Sequence, residues 1–128
     1  MGPQGGLIVH EILCLFMDFD GYKAFYDKQG LRHREGGPAI VQPNGDREYW
    51  TRGVRNRVDG AAFIYGKTRE YWVDGKLHRE DGPAMYRSPK KAIGMPAVTQ
   101  YWIDGVQLTE KEFKSRSKGE HKKVSKNG

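Results

Sequence analysis

Two His-Arg pairs, His33-Arg34 and His78-Arg79, are the residues of this chain best suited to acid–base chemistry, and acids follow them at Glu35 and Glu80-Asp81. A catalytic imidazole needs a substrate within hydrogen-bond reach and a nucleophile or acid partner in the same cleft. Here the histidines occupy equivalent positions of a recurring motif, and a further copy carries Asn56-Arg57 in their place. A residue that recurs, and that one copy does without, reads as a packing element. The arginine is then expected on or between the aromatic rings of adjacent units. The histidine is expected to hydrogen-bond turn backbone around the following glycine. An enzyme using His33 or His78 is the alternative, and it requires both to share one pocket.

Other chemical signatures are missing from the sequence. It has no phosphate-binding glycine loop and no G-x-S-x-G elbow, and its one cysteine, Cys14, lies in an apolar run. Four scattered histidines and one cysteine make no familiar zinc ligand set. No metal or other cofactor is expected, and the chain reads as non-enzymatic.

The motif itself is written YDKQGLRHREGGPA over Tyr26–Ala39, YWTRGVRNRVDGAA over Tyr49–Ala62 and YWVDGKLHREDGPA over Tyr71–Ala84, and a shorter copy opens YWIDG at Tyr101. Tyr26, Tyr49 and Tyr71 lead the three full copies. Gly30, Gly53 and Gly75 hold their fifth position and Arg34, Arg57 and Arg79 their ninth, and every copy ends in Ala. The copies start 23, 22 and 30 residues apart, a period typical of repeat architectures whose units bury their apolar faces only by stacking. The longest step carries the stretch 87–96, with Arg87, Lys90 and Lys91, and such insertions belong in a loop on one face.

Each unit predicts two short strands joined by a tight turn at pairs such as Asp74-Gly75. A second turn follows at Gly82-Pro83, where glycine permits positive φ and proline ends a strand. Thr109 with Glu112 three residues on is a capping box, which predicts a short terminal helix. The fold class expected is all-β: an antiparallel β-hairpin array, a meander or solenoid, with a short C-terminal helix. Strand alternation places Tyr49, Tyr71 and Tyr101 on one face and Trp50, Trp72 and Trp102 on the other. One row makes the core of the stack. The other, if exposed, is an interaction surface.

The net charge of +6 is uneven, because residues 114–128 hold six Lys or Arg against one Glu. That segment is expected to be a disordered basic tail. A nucleic-acid reading would use Lys122 and Lys123 with Arg52, Arg55 and Arg57, but Asp46, Glu48, Asp59 and Glu70 interleave with those arginines and favour a solvated face with ion pairs. Residues 1–17 form an apolar extension, too short and interrupted to span a membrane and without signal-peptide features. It is either an extra element packed on the first unit or a stretch preceding a natural start at Met17. Domain boundaries are thus expected near 17 and 113, and the location is expected to be cytoplasmic.

The pattern YW-x2-G-x2-HR-x2-GPA, closed by YWIDG-x2-LT-x2-EF, resembles a repeat of small proteins of unknown function from tailed bacteriophages and some bacteria. In architecture it is also similar to MORN-type repeats. The resemblance spans residues 18–113 and is closest in the first and third units; the second departs from it at Asn56 and Ala61. It implies a β-hairpin array that binds a partner, such as a phage accessory protein acting on a host defence component. The expected function is a non-enzymatic protein-binding module using Trp50, Trp72, Trp102 and the Arg87–Pro96 loop with its Arg87, Lys90 and Lys91. The oligomeric state is left open.

Overall fold

The computed structural model describes residues 14–116, so Lys122, Lys123, the rest of the basic tail and residues 1–13 lie outside the described part. Four two-residue turns set its geometry: Asp20-Gly21, Arg52-Gly53, Asp74-Gly75 and Asp104-Gly105. Both residues of each turn have positive φ, from 45° to 51° at the first position and 78° to 83° at the second. This conformation matches the right-handed twist of the flanking strands.

Among the described residues thirteen short strands result: β1 (Cys14–Phe19), β2 (Tyr22–Asp27), β3 (Ile40–Val41), β4 (Arg47–Glu48), β5 (Trp50–Thr51), β6 (Val54–Arg55), β7 (Phe63–Tyr65), β8 (Thr68–Glu70), β9 (Trp72–Val73), β10 (Lys76–Leu77), β11 (Met85–Arg87), β12 (Val98–Ile103) and β13 (Val106–Leu108). Nine of them make one antiparallel sheet in the order β1-β2-β3-β4-β7-β8-β11-β12-β13. The remaining four form two ribbons, β5-β6 and β9-β10. Strand β1 pairs with β2 from Cys14↔Asp27 to Phe19↔Tyr22, so the sheet crosses the boundary expected at residue 17.

Tyr49 and Tyr71 stand where the chain steps from the large sheet into a ribbon. Their N–H groups donate to Ala62 and Ala84, each at 2.7 Å. Those alanines in turn donate to Glu70 at 2.8 Å and Gln100 at 2.9 Å. Backbones approach so closely here that Ala39, Ala62 and Ala84 have no exposed surface. Ile40, Ile64, Met85 and Ile103 complete a thin core. The predicted capping box forms: Thr109 N–H donates to Glu112 Oε1 at 2.8 Å and Glu112 N–H to Thr109 Oγ1 at 3.0 Å. The helix it starts, α1, covers 110–116.

Candidate functional site

The motif arginines each lie over an aromatic ring, which in the second and third units is the leading Tyr of the same unit, correcting the expected placement on rings of adjacent units. Arg34 sits 4.0 Å from the Phe25 ring centre, Arg57 3.9 Å from Tyr49 and Arg79 4.0 Å from Tyr71. The first unit thus stacks on Phe25, one residue before the leading Tyr26, which bridges to Arg32. The same guanidinium groups donate to the carbonyls of Pro38 (3.2 Å), Ala61 (3.0 Å) and Pro83 (3.3 Å). This explains the twelfth-position glycines. A Cβ on Gly37, Gly60 or Gly82 would meet an arginine Cζ at 3.2, 2.9 or 3.1 Å. The expectation that Gly82 supplies a positive φ is therefore corrected, since none of these three glycines has one.

The histidines join neighbouring units. His33 Nδ1 accepts the N–H of Arg52 at 3.0 Å, and His78 Nδ1 that of Asp104 at 2.9 Å. Asn56 Oδ1 accepts from Asp74 at 2.9 Å in the same way. Each acceptor caps the first residue of the next unit's tight turn, rather than backbone beside its own following glycine. His33 and His78 line different cavities, of about 260 and 590 Å³. The shared pocket that an enzyme using both would need is not formed by these two residues.

The tryptophans make a second series on the other side of the tyrosine positions. Trp50 and Trp72 donate from Nε1 to Glu48 and Glu70, at 2.8 and 2.9 Å, and Trp102 to Gln100 at 2.9 Å. Both carboxylates are buried, with Glu48 8% and Glu70 4% exposed. Arg55 reaches between them, 3.9 Å from Glu48 and 3.6 Å from Glu70, and lies 5.3 Å from the Trp50 ring and 5.5 Å from the Trp72 ring. Tyr65 donates its hydroxyl to Glu48 Oε2. Burial, then the bond to Glu48, raises the Tyr65 phenol above its ordinary value. Arg87 pairs with the far oxygen of Glu70 at 3.5 Å.

Of the arginines considered for nucleic acid in the second unit, Arg55 lies among rings and carboxylates and Arg57 is held by Tyr49, Asp59 and Ala61. Arg52 alone of the three is exposed, at a turn tip. All six residues of the Tyr and Trp rows are half-buried, so no fully exposed aromatic stripe exists among them. Lys90 and Lys91 are exposed on the 88–97 loop, with Arg87 at its base. Sequence reasoning missed Glu48 and Glu70 as the anchors of the tryptophans. The signal was present as the i, i+2 spacing of acid or amide and Trp in three units.

Among the described residues no group of three His, Cys, Asp or Glu could hold a metal ion, and no helix is long and apolar enough to cross a membrane. No family model, curated protein or solved structure matches this chain.

Proposed function

We propose that the chain is a β-hairpin repeat array, MORN-like in construction, that works as a non-enzymatic protein-binding module. One observation carries this reading: Glu70 holds Trp72 through one oxygen and Arg87 through the other, at 2.9 and 3.5 Å. One buried carboxylate therefore holds both a half-buried tryptophan and the base of the inserted loop, aromatic and arginine side chains of the kind that dominate protein interfaces. The recurring Arg-on-ring stacks within units support the array, as do the His or Asn links, which join each unit to the next by the same bond. The family resemblance extends the reading to a host protein as target.

The test is capture of a partner from host lysate by the full chain. Trp72→Ala and a variant with residues 88–97 replaced by a short Gly-Ser turn should both lose the captured protein while keeping a cooperative unfolding transition. Retention of the partner by both variants would count decisively against the reading.

A further inference from the structure

The loop 88–97 is exposed almost throughout and yet fastened at both levels. Its tip is closed by Lys90 N–H to Met95 O (2.8 Å) and Met95 N–H to Lys90 O (3.0 Å), around a 3-10 turn over Lys91–Ile93 and a left-handed Gly94 at φ 70°. Its base is tied to the β7-β8 hairpin, where the N–H of Ser88 donates to Thr68 Oγ1 at 3.1 Å and the two hydroxyls lie 3.2 Å apart. This frame holds Ile93 67% and Met95 50% exposed. Neither belongs to the buried core. Apolar side chains held out on an ordered loop present a contact whose ordering cost is already met.

Four cations belong to the loop and to the hairpin bonded to it, while Asp46 accepts the Gly66 N–H at that hairpin's turn, 2.9 Å away. Lys90 and Lys91 are on the loop, and Lys67 and Arg69 flank Thr68 on the hairpin bonded to it. Arg69 donates to the carbonyls of Gly66 and Thr68, which leaves its charge unneutralised. Among the described residues the ion pairs are made elsewhere, and no carboxylate pairs with any of these four.

We propose that this tip docks an acidic protein segment that carries an aliphatic side chain, with Ile93 and Met95 taking the apolar group and Lys67, Arg69, Lys90 and Lys91 its flanking carboxylates. The proposal rests on the protein-binding reading and names the chemistry of the partner at one part of that surface. Nucleic-acid bases would need free rings to stack on. Of the rings beside the loop, Phe63 and Tyr65 stack on each other at 4.4 Å, Tyr65 is committed to Glu48, and Tyr86 is half-buried in β11 opposite Arg69. The loop sequence Lys90-Lys91-Ala92-Ile93-Gly94-Met95 likewise lacks the Trp or Tyr that anchors protein at a lipid interface.

Fluorescence anisotropy on the full chain tests this with a labelled synthetic peptide of Glu and Ser bearing one central Leu. The comparisons are the same peptide with Ser for Leu, an oligothymidylate and phosphatidylserine vesicles. The double variant K90E/K91E should weaken the Leu peptide by about tenfold. I93S should weaken the Leu peptide by about tenfold and leave the Ser peptide unchanged. A variant with Lys122→Ser and Lys123→Ser should bind like the parent, which separates the tip from the tail. Equal binding of the two peptides, or an unchanged Leu peptide in K90E/K91E, overturns the proposal. So does tighter binding of the oligonucleotide or vesicles that depends on Lys90 and Lys91. If no peptide binds while capture of a lysate protein still depends on Trp72, this inference falls and the protein-binding reading stands.

Discussion

His78 accepts the backbone N–H of Asp104 at 2.9 Å, and one unit earlier Asn56 makes the equivalent bond to Asp74 with an amide oxygen, also at 2.9 Å. The chain thus contains its own control experiment for the role of the histidine. His78→Asn should leave the chemical-denaturation midpoint almost unchanged. His78→Ala removes the acceptor and should destabilise by about 1 kcal/mol. Equal losses in the two variants would show that the imidazole does more than accept this bond.

Gly60→Ala should displace the guanidinium of Arg57, whose Cζ lies 2.9 Å from the added methyl position. The loss is the stack on Tyr49 and the bond to Ala61, about 1–2 kcal/mol. A double-mutant cycle checks the cause. In an Arg57→Ala background the same glycine substitution should be nearly silent, because the three atoms nearest the added methyl all belong to Arg57.

Glu70→Gln should remove the buried counter-charge of Arg55 and Arg87 and cost about 3 kcal/mol in urea unfolding. The fourth unit shows the neutral solution. Gln100 holds Trp102 there, and in the third unit before it Leu77 occupies the position opposite Trp72 that Arg55 occupies opposite Trp50. The double variant Glu70→Gln, Arg55→Leu should therefore lose less than the sum of its singles.

Tyr65 gives a pH prediction. Its phenol is raised in the folded state, chiefly by burial and then by the bond to Glu48, and in the unfolded chain it returns to the ordinary value near 10. A raised folded value means that the contribution is complete below the unfolded value and fades as pH rises through the folded one. Melting temperature should fall on the alkaline side, above about pH 10. Tyr65→Phe should lose about 1 kcal/mol at neutral pH and flatten that alkaline decline.

Much of the sheet was legible because its turns are local chemistry. Asp74-Gly75 announces a tight hairpin, and Thr109 with Glu112 announces a helix start, since each motif satisfies its own backbone within a few residues. The positions that misled are those set by distant chain. In the first unit the loop after Asp27 is tied by Asp27 Oδ1 to the N–H groups of Gln29 and Leu31 and holds one residue more than its counterparts. That moves the stacking ring from Tyr26 to Phe25. Gly82 looked like a backbone hinge, yet its small size serves the side chain of Arg79. Arg55 looked like surface charge, because its partners Glu48 and Glu70 lie in different units and only the sheet brings them together.

Tyr101 is covered by Phe113 of α1, with ring centres 4.8 Å apart, where the earlier units lay an arginine on their ring. The residue that carries the stacked arginine also faces forward: its backbone N–H donates to the carbonyl of the next tryptophan, as Arg79 does to Trp102 at 3.1 Å, whereas the backbone N–H of Phe113 donates to Thr109 within its own helix. A phenylalanine arriving from a helix offers no such handhold. The module therefore carries a stop sign as well as a building rule. A chain of this type lengthened by internal duplication can accept new copies only upstream of Tyr101, and its size would grow from the middle while both its last hairpin and its closing helix stay the same.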